Sequence, residues 1–414
     1  MFKKTFLNNG IPVVTEQLAN FRSFIIGVWV KVGSRNEKPN ENGISHFLEH
    51  MFFKGTEKRS PSEIAYHIDS LGGDLNAFTS RENTAFYVKV LDEYNESAIE
   101  LLSDIFINSK FPQEEIEKEK GVIKEEIKLV EDTPDDYIHD LFNKTIWGDS
   151  GLGQPVLGKR ETIKTFTRDA LISHIEKYYG IEDIVISCAG KFDYNDLINK
   201  LNKYFGQIRR GSTPSLNKPH QFNSGAVVFQ KDLSETHICL GVEGIPFNSS
   251  HRYCLAVLNS ILGASVSSRL FQKIREKMGF AYSIFSFSSS YFDTGFWAVY
   301  AGVSKKRAIT VSEMIIKEMK GLYETITEEE LKRAKDQIKG NIILGLESSS
   351  SRMQSIARQE IYFGRYFTHQ EIIKAVEAVK LKQAKDLCYN LINEGDICLV
   401  ALGSLSNDDF KGVC

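Results

Sequence analysis

His46, Glu49 and His50 occur in the order His-Phe-Leu-Glu-His. On a helix, residues four apart lie on one face about one turn apart, so the two imidazoles can hold a single metal ion between them. Glu49 follows His46 by three positions and points to a neighbouring part of that face. From there a carboxylate can reach a metal-bound water without being a ligand itself. The surrounding segment, ISHFLEHMFF, is rich in large apolar residues and reads as a buried helix. Two imidazoles and a carboxylate on a buried helix need partners or a metal, because an unpaired buried charge is costly.

A catalytic zinc commonly has three protein ligands and one open position, so a third donor must come from another element. The best source is a helix predicted over 114–131, EEIEKEKGVIKEEIKLVE, whose apolar stripe is Ile116, Ile123, Ile127 and Val130. Glu119 and Glu126 are seven residues apart and share a face beside that stripe. Glu125 points about 100° away from Glu126 around the helix. The residues alone leave Glu125 and Glu126 both open as the third ligand.

The order H-x-x-E-H inverts the more familiar H-E-x-x-H and marks the inverzincins. Together with V-I-K-E-E-I, which places Glu126 76 residues after His50, it makes the chain resemble the pitrilysin/insulinase family of zinc metallopeptidases. The resemblance covers essentially the whole chain. It lies with the two-domain bacterial branch that is similar to the mitochondrial processing peptidase beta subunit. It implies one Zn²⁺ per chain, held by His46, His50 and Glu126, with Glu119 supporting the site. It implies that Glu49 moves the proton of the attacking water to the leaving amine of a hydrolysed peptide bond. Leu75-Asn76-Ala77-Phe78-Thr79 is similar to the family's substrate-binding edge strand. Asn76 and Ala77 are the carried-over positions there, Phe78 would line a side-chain pocket, and Phe53 would shape a neighbouring one. Asp136 and Asp140 match acidic residues that recognise basic side chains in the processing-peptidase branch.

The chain repeats itself once. The apolar runs FIIGVWVKV (24–32) and THICLGVE (236–243) are each followed by a loop and a helix. Next come strand pairs at 75–90 and 280–303, then amphipathic helices near 94–109 and 306–324. FPQEEIEKEKGVIKEEI (111–127) then aligns without a gap on ITEEELKRAKDQIKGNI (326–342), and both halves end on a strand and a turn. The expectation is an α+β protein of two homologous domains, each an antiparallel-rich sheet packed against helices, the processing-peptidase-like metallohydrolase fold. The first domain spans 1–210 and bears the metal. A linker rich in Gly, Pro, Ser and Asn follows at 211–225, and a second domain spans 226–414.

The alignment puts Glu126 on Asn341 and Glu119 on Ala334, while His46, Glu49 and His50 fall on Cys254, Val257 and Leu258. The second copy therefore cannot build this site. It carries instead ILGASVSSRLFQKIREKMGFAYS (261–283), where the resemblance assigns Arg275 and Tyr282 to contacts with the bound peptide. A cation and a phenol aimed at a scissile carbonyl stabilise its developing negative charge.

Composition narrows the class. Fifty-one Lys and Arg against 54 Asp and Glu leave a net charge of −3, which argues against nucleic acid held by a basic surface. No apolar run reaches the roughly 18–20 residues of a membrane helix. None of the six cysteines stands in a C-x-x-C pair, which suits buried free thiols in a reducing cytoplasm. The expected protein is a cytoplasmic zinc-dependent endopeptidase that acts on short or unfolded polypeptides bound as an extended strand. The resemblance further implies a homodimer. The alternative is a non-catalytic scaffold or core subunit of the same family.

Overall fold

The computed structural model describes residues 1–209, 211, 221–393 and 395–413. Residues 212–220 of the expected linker, and Cys414, lie outside the described residues. The first half of the chain runs β1 (Phe2–Phe6), β2 (Pro12–Gln17), β3 (Ser23–Val30), α1 (Ile44–Met51), α2 (Pro61–Ser70), β4 (Asp74–Thr79) and β5 (Thr84–Leu91). It continues through α3 (Asn95–Asn108), α4 (Gln113–Asp132), α5 (Pro134–Trp147), α6 (Arg160–Thr165), α7 (Arg168–Tyr178), β6 (Ile184–Gly190) and α8 (Tyr194–Phe205). The second half runs β7 (Gly225–Gln230), β8 (Thr236–Glu243), α9 (Arg252–Leu262), a wider π-type turn at Phe271–Lys277, β9 (Ala281–Ser290) and β10 (Gly295–Val303). It ends with α10 (Ala308–Thr325), α11 (Glu328–Gly345), α12 (Ser349–Phe363), α13 (His369–Glu377), α14 (Leu381–Ile392) and β11 (Ile397–Gly403).

The two sheets repeat one plan. The first has the order β1-β2-β6-β3-β5-β4 and the second β7-β11-β8-β10-β9. In each, one pair is parallel (β2 with β6, β7 with β11) and the pairs that follow are antiparallel. This is the mixed α+β architecture the repeat predicted, with β1 added to the first copy.

By contact the chain forms two compact units. One holds Met1–Leu129, Gln154–Asn217 and Gly345–Tyr366; the other holds Val130–Gly153, Lys218–Leu344 and Phe367–Cys414. Sequence repeat and packed unit therefore differ by one helix each, and the strands explain why. FIIGVWV in β3 is apolar on both faces, the pattern of a strand covered on both sides. In the first unit Phe24, Ile26, Val28 and Val30 join a core with α1, α3 and α8. Ile25 and Trp29 face the other way and pack with Met353, Ile356 and Ala357 of α12. Gly27 sits between them, where a Cβ would stand 2.8 Å from Met353 Sδ. The second unit is built likewise: Ile238, Leu240 and Val242 of β8 face α9, α10 and α14. Cys239 joins Ile138, Phe142 and Ile146 of α5 on the opposite face.

Five cysteines are buried free thiols. Among the described residues, no helix is long and apolar enough to cross a membrane.

Candidate metal centre

The chain enters α1 through Gly43, whose φ is +94°. A Cβ there would lie 2.6 Å from Gly158 Cα, so the position requires glycine. Just upstream, the buried carboxylate of Glu37 accepts hydrogen bonds from the Gly43 amide at 2.7 Å, the Ser45 amide at 2.9 Å and Asn42 Nδ2 at 3.1 Å. It fills the orphan donors of the helix start and meets the positive end of the helix dipole. Burial pushes the Glu37 carboxyl above its usual range, against the pull of these donors. Ile44, Phe47, Leu48 and Met51 then bury one side of α1 in the core, which turns His46, Glu49 and His50 along its other side.

Helix α4 supplies the third group. Ile116, Ile123 and Ile127 fix its rotation by burying against the same core. That rotation leaves Glu125 exposed and brings Glu126, half-buried, to the histidines. Glu126 Oε1 lies 3.7 Å from His46 Nε2, and its Oε2 lies 3.6 Å from His50 Nε2. One donor atom from each residue falls within 4.8 Å of the others, and among the described residues no other trio of His, Cys, Asp or Glu converges this way. Tetrahedral ligands about 2.0–2.1 Å from a zinc ion lie about 3.4 Å from one another. The spacing of His46, His50 and Glu126 is thus close to what such an ion needs, and two imidazoles with a carboxylate form a common catalytic-zinc donor set. Burial, with His50 alongside, pushes His46 down to about 3, so its ring is neutral near pH 7 and available as a ligand.

Glu119, two turns before Glu126, lies behind His50, with Oε1 3.4 Å from His50 Nδ1 and 2.7 Å from Lys54 Nζ. Burial alone would raise the Glu119 carboxyl; the bond with His50 and the Lys54 ammonium outweigh it and hold it below its usual range.

Glu49 makes a different contact. Its Oε2 accepts a 2.6 Å hydrogen bond from Thr79 Oγ1, at the end of β4. Burial raises the Glu49 carboxyl while the Thr79 bond opposes that rise. β4 is the last strand of its sheet and, among the described residues, pairs only with β5. Leu75 and Ala77 pack toward the core that holds α1. Phe78 points to the opposite face, edge-on to Trp29 with centroids 5.5 Å apart. Asn76 is exposed, and its Oδ1 accepts the Ala77 amide at 2.8 Å. Phe53, after α1, is partly buried against the same core.

The other predicted residues belong to the second unit. Asp136 is exposed and Asp140 half-buried on α5. Arg275 is exposed on the π-type turn with its guanidinium 4.8 Å above the Phe271 ring, and Tyr282 is 62% exposed at the start of β9. Ala334, the counterpart of Glu119, is buried on α11, and Asn341, the counterpart of Glu126, is exposed.

Three residues of this centre escape sequence reasoning. Glu37 lies in a polar loop with no periodicity to single it out. Thr79 could have been suspected from strand alternation, because it shares a face with Ala77. Lys54 stands four residues after His50, a spacing that puts the two side chains together only if the helical path continues past Met51.

Residues 12–160 match the insulinase family, peptidase family M16, and residues 165–338 match the peptidase M16 inactive domain. The chain is 42% identical over 409 residues to YmxG of Bacillus subtilis, described as an uncharacterized zinc protease, covering 98% of this chain and 99% of that one. It belongs to the peptidase M16 (insulinase) family. Among solved structures, a protease from Helicobacter pylori shares the fold with a TM-score of 0.90 at 22% identity, covering 97% of this chain and 99% of that one. So does a chain of complex III2 from Candida albicans, with a TM-score of 0.86 at 24% identity and 99% of both chains covered.

Proposed function

We propose that this chain is a zinc-dependent endopeptidase that hydrolyses short or unfolded polypeptides bound as an extended strand. The observation that carries this reading is the convergence of His46, His50 and Glu126 beside Glu49. Zinc held by the two histidines and Glu126 would supply a Lewis acid for the scissile carbonyl and acidify a water. Glu49, half-buried and fixed on the same helix, takes the proton of the attacking water and returns it to the leaving amine. Glu119 orients the His50 ring through Nδ1. The outer edge of β4 aligns the peptide backbone as an added strand, with Asn76 and Ala77 as its contacts. Phe53 and Phe78 shape side-chain pockets, and Asp136 and Asp140 favour basic side chains. Arg275 and Tyr282 bind the substrate and its carbonyl. The working form is a cytoplasmic homodimer.

The test is the Glu49→Gln variant with metal analysis. Wild-type protein should carry one zinc per chain and cleave unstructured peptides in a chelator-sensitive way. The variant should keep its zinc and lose cleavage. A wild-type chain without stoichiometric zinc after zinc loading would refute the reading. It would favour a non-catalytic core subunit, a role compatible with the fold shared with the complex III2 chain.

A further inference from the structure

We infer that Thr79 is a positioning residue for Glu49, and that the turn after Thr79 is clamped so that its hydroxyl stays in place. The inference rests on the reading of Glu49 as the group that moves a proton.

Glu49 and Thr79 are 30 residues apart and sit on different elements, α1 and β4. Their 2.6 Å hydrogen bond joins a hydroxyl donor to a carboxylate, the short charge-assisted kind. A glutamate has three rotatable side-chain torsions and does not hold one carboxylate direction by itself. Threonine is β-branched and stiff about its first torsion, so it makes a firm post for that carboxylate.

The post is held in turn. Ser80 and Arg81, directly after Thr79, accept backbone hydrogen bonds from the amides of Ser34 at 3.2 Å and Arg35 at 2.8 Å. Gly33 permits this approach, since a Cβ there would stand 2.1 Å from the Ser80 carbonyl oxygen. The Arg35 side chain, 1% exposed, pairs with Glu82 at 2.5 Å, and Tyr362 of α12 donates to the other Glu82 oxygen at 2.8 Å. The loop that carries Arg35 also carries Glu37, which caps α1. One loop thus fixes both the strand end that bears Thr79 and the helix start that leads to Glu49. A peptide laid along β4 would be placed against Glu49 by the same bond.

The test uses the full-length zinc-loaded protein and the variants Thr79→Val, Thr79→Ser and Tyr362→Phe. Thr79→Val keeps the shape and removes the donor; Thr79→Ser keeps the donor. For Thr79→Val we expect wild-type zinc content, melting temperature and KM on an unstructured peptide, with kcat down about 10- to 100-fold. Thr79→Ser should recover most of kcat, and Tyr362→Phe should lose a few-fold. In crystal structures Glu49 should hold one rotamer in the wild type and spread over several in Thr79→Val. A wild-type kcat in Thr79→Val, a Thr79→Ser variant as slow as Thr79→Val, or zinc loss from Thr79→Val would overturn the inference. If the wild type binds no zinc or cleaves nothing, the proposed function fails instead. The Glu49 rotamer comparison still decides this inference, because an unchanged single rotamer in Thr79→Val overturns it.

Discussion

Oε1 of Glu119 lies 3.4 Å from Nδ1 of His50, the ring whose Nε2 faces Glu126. A carboxylate behind a ligating histidine fixes its tautomer and raises its basicity, and loss of such a partner typically costs 10- to 100-fold in metal affinity. Glu119→Gln should weaken zinc binding by about that factor, read by competition with a chelator of known affinity. Lys54→Met removes only the second partner of the same oxygen and should cost less than about tenfold.

The rotation of α4 makes a sharper comparison. Glu126→Gln should abolish stoichiometric zinc, whereas Glu125→Gln should bind it as the wild type does, because Glu125 is exposed on another face. Equal zinc loss in the two variants would refute the rotation set by Ile116, Ile123 and Ile127.

Helix α12 covers Ile25, Trp29, Val185 and Ala189 of the first sheet. A chain cut after residue 209 would expose this apolar face, and exposed patches of that kind drive aggregation. Such a fragment should be insoluble or bind a hydrophobic dye strongly, and adding residues 345–366 as a peptide should reduce the dye signal. In the full chain, Met353→Ala should cost about 2–5 kcal/mol of stability through the cavity it leaves, measured by denaturant unfolding.

Asp183, at the entry to β6, gives a pH signature. It is 1% exposed, and burial raises its carboxyl from 3.8 to about 7. A folded-state value above the unfolded one means that the folded chain holds the proton more tightly. The stabilisation this gives is complete below about pH 4 and is lost as pH rises through about 7. Asp183→Asn removes the titration, so its stability relative to wild type should climb between about pH 4 and 7 and then level off, by at most about 4 kcal/mol. A constant difference across that range would refute the assignment.

Much of this architecture was legible in the sequence because its signals are local. Continuous β-branched runs marked β3 and β8, and four-residue spacing put His46 and His50 on one helical face. The ungapped match of 111–127 to 326–342 puts Ile116, Ile123 and Ile127 of α4 on Leu331, Ile338 and Ile342 of α11, and each set packs against the core of its own unit. Other features had no local signal. The loop holding Arg35 and Glu37 is polar and aperiodic, yet both side chains are buried, because the helix start and the hairpin tip they hold come from outside the loop.

The sequence by itself determined the donors, their order on α1, the second copy that lacks them, and the strands and helices that carry them. Periodicity left Glu125 and Glu126 both open and the family resemblance chose Glu126; the tertiary structure brings Glu126 to the histidines, and it alone decided that Thr79 bonds to Glu49 and that α12 covers the first sheet. The physical reason is the same in each case. Periodicity tells a helix or strand which face to bury but carries no address for the surface that will bury it. That address is set by core residues such as Ile123 and Trp29, whose packing fixes each element's rotation against neighbours far away in the chain.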